Sequence, residues 1–223
     1  VSTVEWSVAE NMAKPTSILE GFMWDKETEV DRFRERVPLA NLLSQWKTSL
    51  VEQSIPKPRD WIGPIKEGAA KNGFVIVPEC KRSEPISGSL RKRYNVQKLV
   101  EDFTTKGARA ISINCDGILF GGSLDDLKTA LESCSADDGV VLPPILASDL
   151  LLYPYQLYKM RLAGADAVNL VVGALENKDL VYLTKIASSL KMQSLLMVTS
   201  TTQVKNLDVL AANSIGGLIV SNR

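Results

Sequence analysis

Two textures of apolar patterning divide the chain. Over residues 15–38 apolar side chains recur at three-to-four spacing (Ile18, Leu19, Phe22, Met23, Val30, Phe33, Val37), and Lys26 stands in the same stripe. Ser17 opens the stripe and Glu20 follows three residues on, a capping-box arrangement, so the spacing predicts an amphipathic helix. A shorter helix is predicted from Pro38 through Leu39, Leu42, Leu43, Trp46 and Leu50, ending before the polar, proline-bearing residues 54–58. After about residue 72 the apolar residues gather instead into short runs rich in Val, Ile and Leu, at 74–77, 110–113, 140–146, 167–172, 194–198 and 217–220. Between them lie segments with helical spacing, at 96–106, 124–134, 155–162, 179–190 and 202–212.

Run starts recur at roughly 23 to 36 residues, the size of a βα unit, and their continuous apolar character implies strands covered on both faces. Three connecting phrases, at 106–110, 163–167 and 211–217, look like one device, a helix stopped by a small or left-handed residue before the next strand. Such units build either an open doubly wound sheet or a closed barrel. No G-x-G-x-x-G follows the first run, which weakens the dinucleotide-binding alternative. Polar residues collect instead at the strand ends (Glu79 with Lys81, Asp116, Asp149, Thr199 with Ser200, Asn222 with Arg223), where a barrel keeps its site. The expectation is an α/β fold of the TIM (βα)8-barrel type with about six βα units, residues 73–223, behind a helical extension and linker, residues 1–72.

Composition narrows the chemistry. In 223 residues, 26 basic side chains balance 26 acidic ones, so no global field draws the chain to nucleic acid or to an anionic membrane. Histidine is absent, which removes Ser-His and Cys-His nucleophile pairs and the commonest transition-metal ligand. Cys80, Cys115 and Cys134 form no C-x-x-C pair and sit in or beside apolar runs, as buried thiols do. No apolar run approaches the roughly 18 residues of a membrane span, and Val1 opens no signal-peptide pattern. The basic cluster Lys81, Arg82, Arg91, Lys92 and Arg93 reads as a solvated loop and helix start before it reads as a phosphate patch.

The stretch Pro78-Glu79-Cys80-Lys81-Arg82-Ser83-Glu84-Pro85-Ile86 resembles the first-strand motif E-C-K-K-A-S-P-S of the indole-3-glycerol phosphate synthase family. Pro144-Ile145-Leu146-Ala147-Ser148-Asp149 with Tyr153-Pro154-Tyr155-Gln156-Leu157-Tyr158 is similar to that family's P-I-L-C-K-D and following D-P-Y-Q-I-Y. The segment from Ala110 through Asp116, Phe120, Gly122 and Ser123 resembles A-I-S-V-L-T-D-E-K-Y-F-x-G-S, and the Ile18-Leu19-Glu20 helix ending at Arg36-Val37-Pro38-Leu39 is similar to the family's extra helix in its plant-type form. The resemblance implies a barrel enzyme of tryptophan synthesis, a lyase that closes an indole ring with loss of carbon dioxide and water. It calls for no cofactor or metal.

What the resemblance implies for the site is mixed. The family's Glu-x-Lys pair is present as Glu79 and Lys81, and Asn222 and Arg223 match the end of its Asn-Asn-Arg run, with Ser221 in place of the first Asn. The position of the general-acid lysine on the third barrel strand carries Ser148, and that of the general-base glutamate on the fifth carries Met197. In the first loop S-P-S reads Glu84-Pro85-Ile86, which sets a carboxylate where an anionic substrate would lie. A positioned acid or base is worth roughly a hundred- to ten-thousand-fold each, so losing both costs about 5 to 11 kcal/mol if the effects add.

The expectation is therefore a degenerate member, inactive in ring closure and serving as a structural or regulatory subunit, with Asp149 a strand-end cap or ion-pair member. The alternative is an active, divergent synthase that uses Glu79, Lys81 and Arg223 with a relocated acid such as Lys159. A third reading is a sensor of phosphorylated small molecules. Trp6, Trp24, Trp46 and Trp61 all lie in the N-terminal third and either dock the extension on the barrel or meet a protein partner. About 150 residues serve the barrel, against roughly 250 for a typical eight-unit barrel, so either further units follow or a partner covers the open edge. The plant-type resemblance suggests a plastid.

Overall fold

Six short strands pair, each with the next, in a parallel sheet whose spatial order is the chain order, as right-handed βα units require. A computed structural model describes residues 14–133, 141–211 and 214–222; Trp6, Cys134, Val140, Ala212, Asn213 and Arg223 lie outside the described residues. The barrel strands are β1 (Glu79–Cys80), β4 (Ile111–Asn114), β5 (Ile145–Ser148), β6 (Ala167–Val171), β7 (Gln193–Val198) and β8 (Gly217–Val220), curled as part of a TIM-type barrel. A small hairpin, β2 (Ser83–Glu84) with β3 (Gly88–Ser89), rises from the first loop.

The covering helices are α4 (Val96–Thr105), α5 (Leu124–Glu132), α6 (Pro154–Leu162), α7 (Asn177–Ser189) and the short α8 (Thr201–Lys205). The predicted helix at 202–212 is thus cut short, a 3-10 turn (Asn206–Val209) following α8 directly. One face of the sheet packs these helices through Cys80, Ile111, Ile113, Ala147, Val168, Leu170, Leu196 and Val198. The other face forms the lumen. At its lower end Leu146, Ala167 and Leu195 meet Trp61, whose indole N–H donates to the Ile111 carbonyl at 3.3 Å. In two of the three connecting phrases the helix is indeed stopped by a left-handed glycine, Gly107 (φ +82°) and Gly164 (φ +98°).

The extension comprises α1 (Ile18–Arg36), α2 (Leu39–Glu52) and α3 (Ile62–Asn72). Ser17 caps α1 by accepting from the Glu20 N–H, but the Glu20 carboxylate reaches one residue further back, to the N–H and hydroxyl of Thr16. Trp46 meets Tyr158 of α6 edge to face at 6.4 Å, so with Trp61 it docks the extension on the barrel. Arg59 fastens the α2–α3 connection: its guanidinium grips Asp166 (2.6 to 3.2 Å) and donates to the Leu142 carbonyl.

The pattern misplaced three elements. α3 went unpredicted; its capping signal is Asp60, whose Oδ1 accepts from the N–H groups of Ile62 and Gly63. The run at 74–77 is not a strand: Phe74 and Ile76 are 68% and 74% exposed, and pairing with β4 begins only where the Ser112 N–H reaches the Pro78 carbonyl. The run at 140–146 starts as a strand only at Ile145, because Pro143 and Pro144 have no N–H to offer a ladder.

Candidate active site

Alternation along the strands sorts the strand-end residues into two groups. Glu79 pairs in register with Ser112, Asn114 with Ser148, Asn169 with Leu195, Val171 with Met197, and Met197 with Ile219. Leu146, Ala167, Leu195 and Ile219 line the lumen, so Ser148, Asn169, Val171 and Met197, two or four residues further along the same strands, share the inward face, as do Ser112 and Asn114, which pair with Leu146 and Ser148. The mouth of the barrel is therefore polar on one side, with Glu79, Lys81, Asn114, Ser148 and Asn169. It is apolar on the other, with Val171, Met197 and Ile219. Ser148 and Met197, at the positions expected for an acid and a base, are both half-buried on this face. A hydroxyl with an unperturbed pKa far above neutrality and a thioether neither deliver nor take a proton there.

Glu79 and Lys81, as expected, are brought together, with Lys81 Nζ 3.6 Å from Glu79 Oε2. The same ammonium lies 3.9 Å from Glu84 Oε1 and 5.0 Å from the centroid of the Phe120 ring. Pro85 and Ile86 form the exposed tip of the hairpin. Ser221 follows β8 with its N–H on the Val198 carbonyl, and Asn222 beside it is exposed. Arg223, expected to contact a substrate carboxylate, lies outside the described residues.

On the helix-facing side the ends of β4 and β5 carry a charge network that the sequence pattern showed only in part. The Lys26 ammonium, fully buried, comes from α1 to within 3.1 Å of Asp116, 2.8 Å of Asp149 and 2.5 Å of Glu29. Asp116 Oδ1 accepts from the Leu119 N–H and Asp149 Oδ1 from the Leu150 N–H, so both carboxylates also order the turns that leave the strands. Burial pushes the Asp149 carboxyl up to about 7, against the pull of Lys26 and with the help of Asp116. Burial alone would depress Lys26; Asp149 and Asp116 outweigh it and hold the ammonium charged. The reading of Asp149 as an ion-pair member fits this placement. Lys26 was the missed residue, and its signal was a lysine in register with an apolar stripe.

Lys159, considered as a relocated acid, is on α6 in the helix layer, not on the inward face of the sheet. Its ammonium sits 3.3 Å above the Phe33 ring of α1, in a cavity of about 290 Å³ also lined by Glu29, Cys115, Ser123, Lys128 and Asp149. Desolvation lowers its pKa. The thiols of Cys80 and Cys115 are buried, which raises both, Cys80 to about 12. Among the described residues no cluster of acidic or sulfur ligands could hold a metal ion, and no helix is long and apolar enough to cross a membrane.

Comparison with known proteins places the chain in one family. A family model described as indole-3-glycerol phosphate synthase matches residues 19–223. Among curated relatives, the indole-3-glycerol phosphate synthase of Rippkaea orientalis is 33% identical over 223 residues, covering 100% of this chain and 70% of its own. That of Crocosphaera subtropica is 31% identical with the same coverage. Among solved structures, the carboxyl transferase domain of Rhizobium etli pyruvate carboxylase aligns with TM-score 0.48 and 8% identity, over 67% of this chain and 28% of that one.

Proposed function

Because the chain belongs to the indole-3-glycerol phosphate synthase family, we propose that it keeps that family's barrel and mouth while having lost ring closure, and that it serves as a structural or regulatory subunit. The observation that carries this reading is the inward pair Ser148 and Met197. Ring closure needs a proton delivered and a proton removed inside the mouth, and neither side chain does either. Lys159, the nearest candidate replacement considered, belongs to the helix layer and stacks on Phe33. The barrel's covered faces and docked extension support a role that depends on the fold. A plastid location belongs to the same proposal and rests on the plant-type motifs.

A second reading is favoured by the relatives, which carry the name of the active synthase across the full length of this chain. In it the protein is a divergent indole-3-glycerol phosphate synthase. One assay separates the two: indole-glycerol phosphate formation by the purified chain in its full-length form, produced in a host lacking its own synthase. The proposal expects no turnover above background, and turnover in the double variant Ser148→Lys/Met197→Glu, which returns a cation and a carboxylate to the inward face. Brisk turnover by the unmodified protein, abolished by Lys81→Ala, would overturn the proposal and establish the second reading.

A further inference from the structure

The inward cation at the barrel mouth is already engaged. Lys81 is the lysine of the lumen-facing group, its side chain is 15% exposed, and two carboxylates of the same chain face it, Glu79 at 3.6 Å and Glu84 at 3.9 Å. One ammonium is thus shared between two carboxylates of its own chain. We propose that Glu84 is a specificity-determining residue: it stands in for the anionic group of a ligand at Lys81 and makes the mouth select against carboxylates and phosphates, admitting uncharged or cationic ligands instead.

The hairpin is built to deliver this carboxylate. Glu84 pairs with Gly88 across β2 and β3, and the turn closes at Gly88 with φ +68°, a conformation that favours glycine. The Ser87 hydroxyl donates to Glu84 Oε2 at 3.1 Å, orienting the group from the tip side. At the root, the Ser83 N–H donates to the Phe120 carbonyl and the Leu90 N–H to the Arg82 carbonyl. Arg82 is itself anchored, its guanidinium on Asp126 at 2.6 Å and 4.3 Å above the Tyr94 ring. Phe120 completes the wall on the other side of Lys81. A 15% exposed glutamate reaches Lys81 because both ends of its hairpin are tied down, which distinguishes it from a surface charge that wanders.

This inference deepens the proposed function by naming what the mouth admits and what it excludes, and it is read by binding, so it stands or falls separately from ring closure. The test titrates the purified chain with benzoate, inorganic phosphate and benzylamine at fixed ionic strength, followed by calorimetry or by chemical shifts. Removing one negative charge about 4 Å from the bound anion should tighten benzoate and phosphate about tenfold or more in Glu84→Gln. The gain should vanish in Glu84→Gln/Lys81→Met, and the unmodified chain should favour benzylamine over benzoate. Glu84→Ser provides a second route to the same comparison should the glutamine variant fold poorly, and the benzylamine-to-benzoate preference of the unmodified chain needs no variant. Equal anion affinity with and without Glu84, a gain that survives loss of Lys81, or a preference of the unmodified chain for benzoate would each overturn the proposal.

Discussion

Replacing Lys26 by methionine removes one charge and leaves the hydrocarbon stem, so the structural consequence follows from electrostatics. In the native protein the ammonium is 1% exposed and counters Asp116 and Asp149, whose side chains are 1% and 11% exposed. Without it those carboxylates have lost the cation that justified their burial, and Glu29 adds a third like charge. Truncating one partner of a buried ion pair costs about 3–5 kcal/mol. For a chain of this size each kcal/mol lowers the melting temperature by about 2–4 °C, so Lys26→Met should melt roughly 6–20 °C lower. Thermal and urea unfolding measure this directly. The triple variant Lys26→Met/Asp116→Asn/Asp149→Asn removes the stranded charges with the cation and should recover most of the loss. Since α1 is tied to β4 and β5 through this group, amide exchange along α1 should also rise in the single variant and fall back in the triple. A loss below about 1 kcal/mol, or a triple variant no better than the single one, would show that the network does not hold the helix.

The same cluster sets a pH dependence. Asp149 has a folded value raised to about 7 from 3.8, so folding favours its protonated form. Its contribution is fully present below the unfolded value and is lost as pH rises through about 7. Asp149→Asn should therefore gain stability relative to the native chain as pH goes from 5 to 8, measured by urea unfolding at several pH values; parallel curves would refute the assignment. The left-handed glycines that follow α4 and α6, Gly107 and Gly164, separate strain from crowding. Gly164→Ala meets both, with its new Cβ 2.5 Å from Leu131 Cδ1, whereas at Gly107 nothing lies within 4 Å. Gly107→Ala should cost about 1 kcal/mol and Gly164→Ala clearly more, and equal losses would count against the packing argument.

What the sequence made legible follows from burial. Strands covered on both faces leave unbroken apolar runs, so the βα rhythm and five of the six barrel strands were readable within a few residues. The misread segments share a different cause. At 74–77 alternating Val and Ile promise a strand, but strand pairing is a property of neighbours, and residues 74–77 are not paired among the described residues. α3 was hidden because Gly63 and Pro64 open it, and the first turn tolerates what a helix interior does not. The hairpin carrying Glu84 left no periodic signal at all, its strands being two residues each. Of the site, Glu79 with Lys81 was legible from a motif. The partners of Asp149 were not, because a lysine in an apolar stripe reads as an interruption until its counter-ions, about 90 and 120 residues away, are seen beside it.

Ser148 and Asp149 show how differently two neighbouring positions on one strand end are constrained. They are consecutive on one strand end, so alternation sends the first to the mouth and the second to the helix layer. Position 148 is half-buried at the open end of the lumen, where a lysine, a serine or an asparagine each finds solvent. Position 149 is committed to Lys26, the Leu150 N–H and the Asn169 side chain that accepts from its own N–H. Met197 follows the same logic on β7: it faces the mouth between Val171 and Ile219, while its neighbours Leu196 and Val198 fill the helix-packed core. Substitution at the inward positions changes what the mouth can do with a proton and leaves the packing of the sheet nearly untouched. Substitution one residue along strands a charge in the interior. Under the proposed reading, the acid and base positions that face the mouth can therefore change at little cost in stability, and for the same reason a lysine and a glutamate can be placed there without redesigning the core.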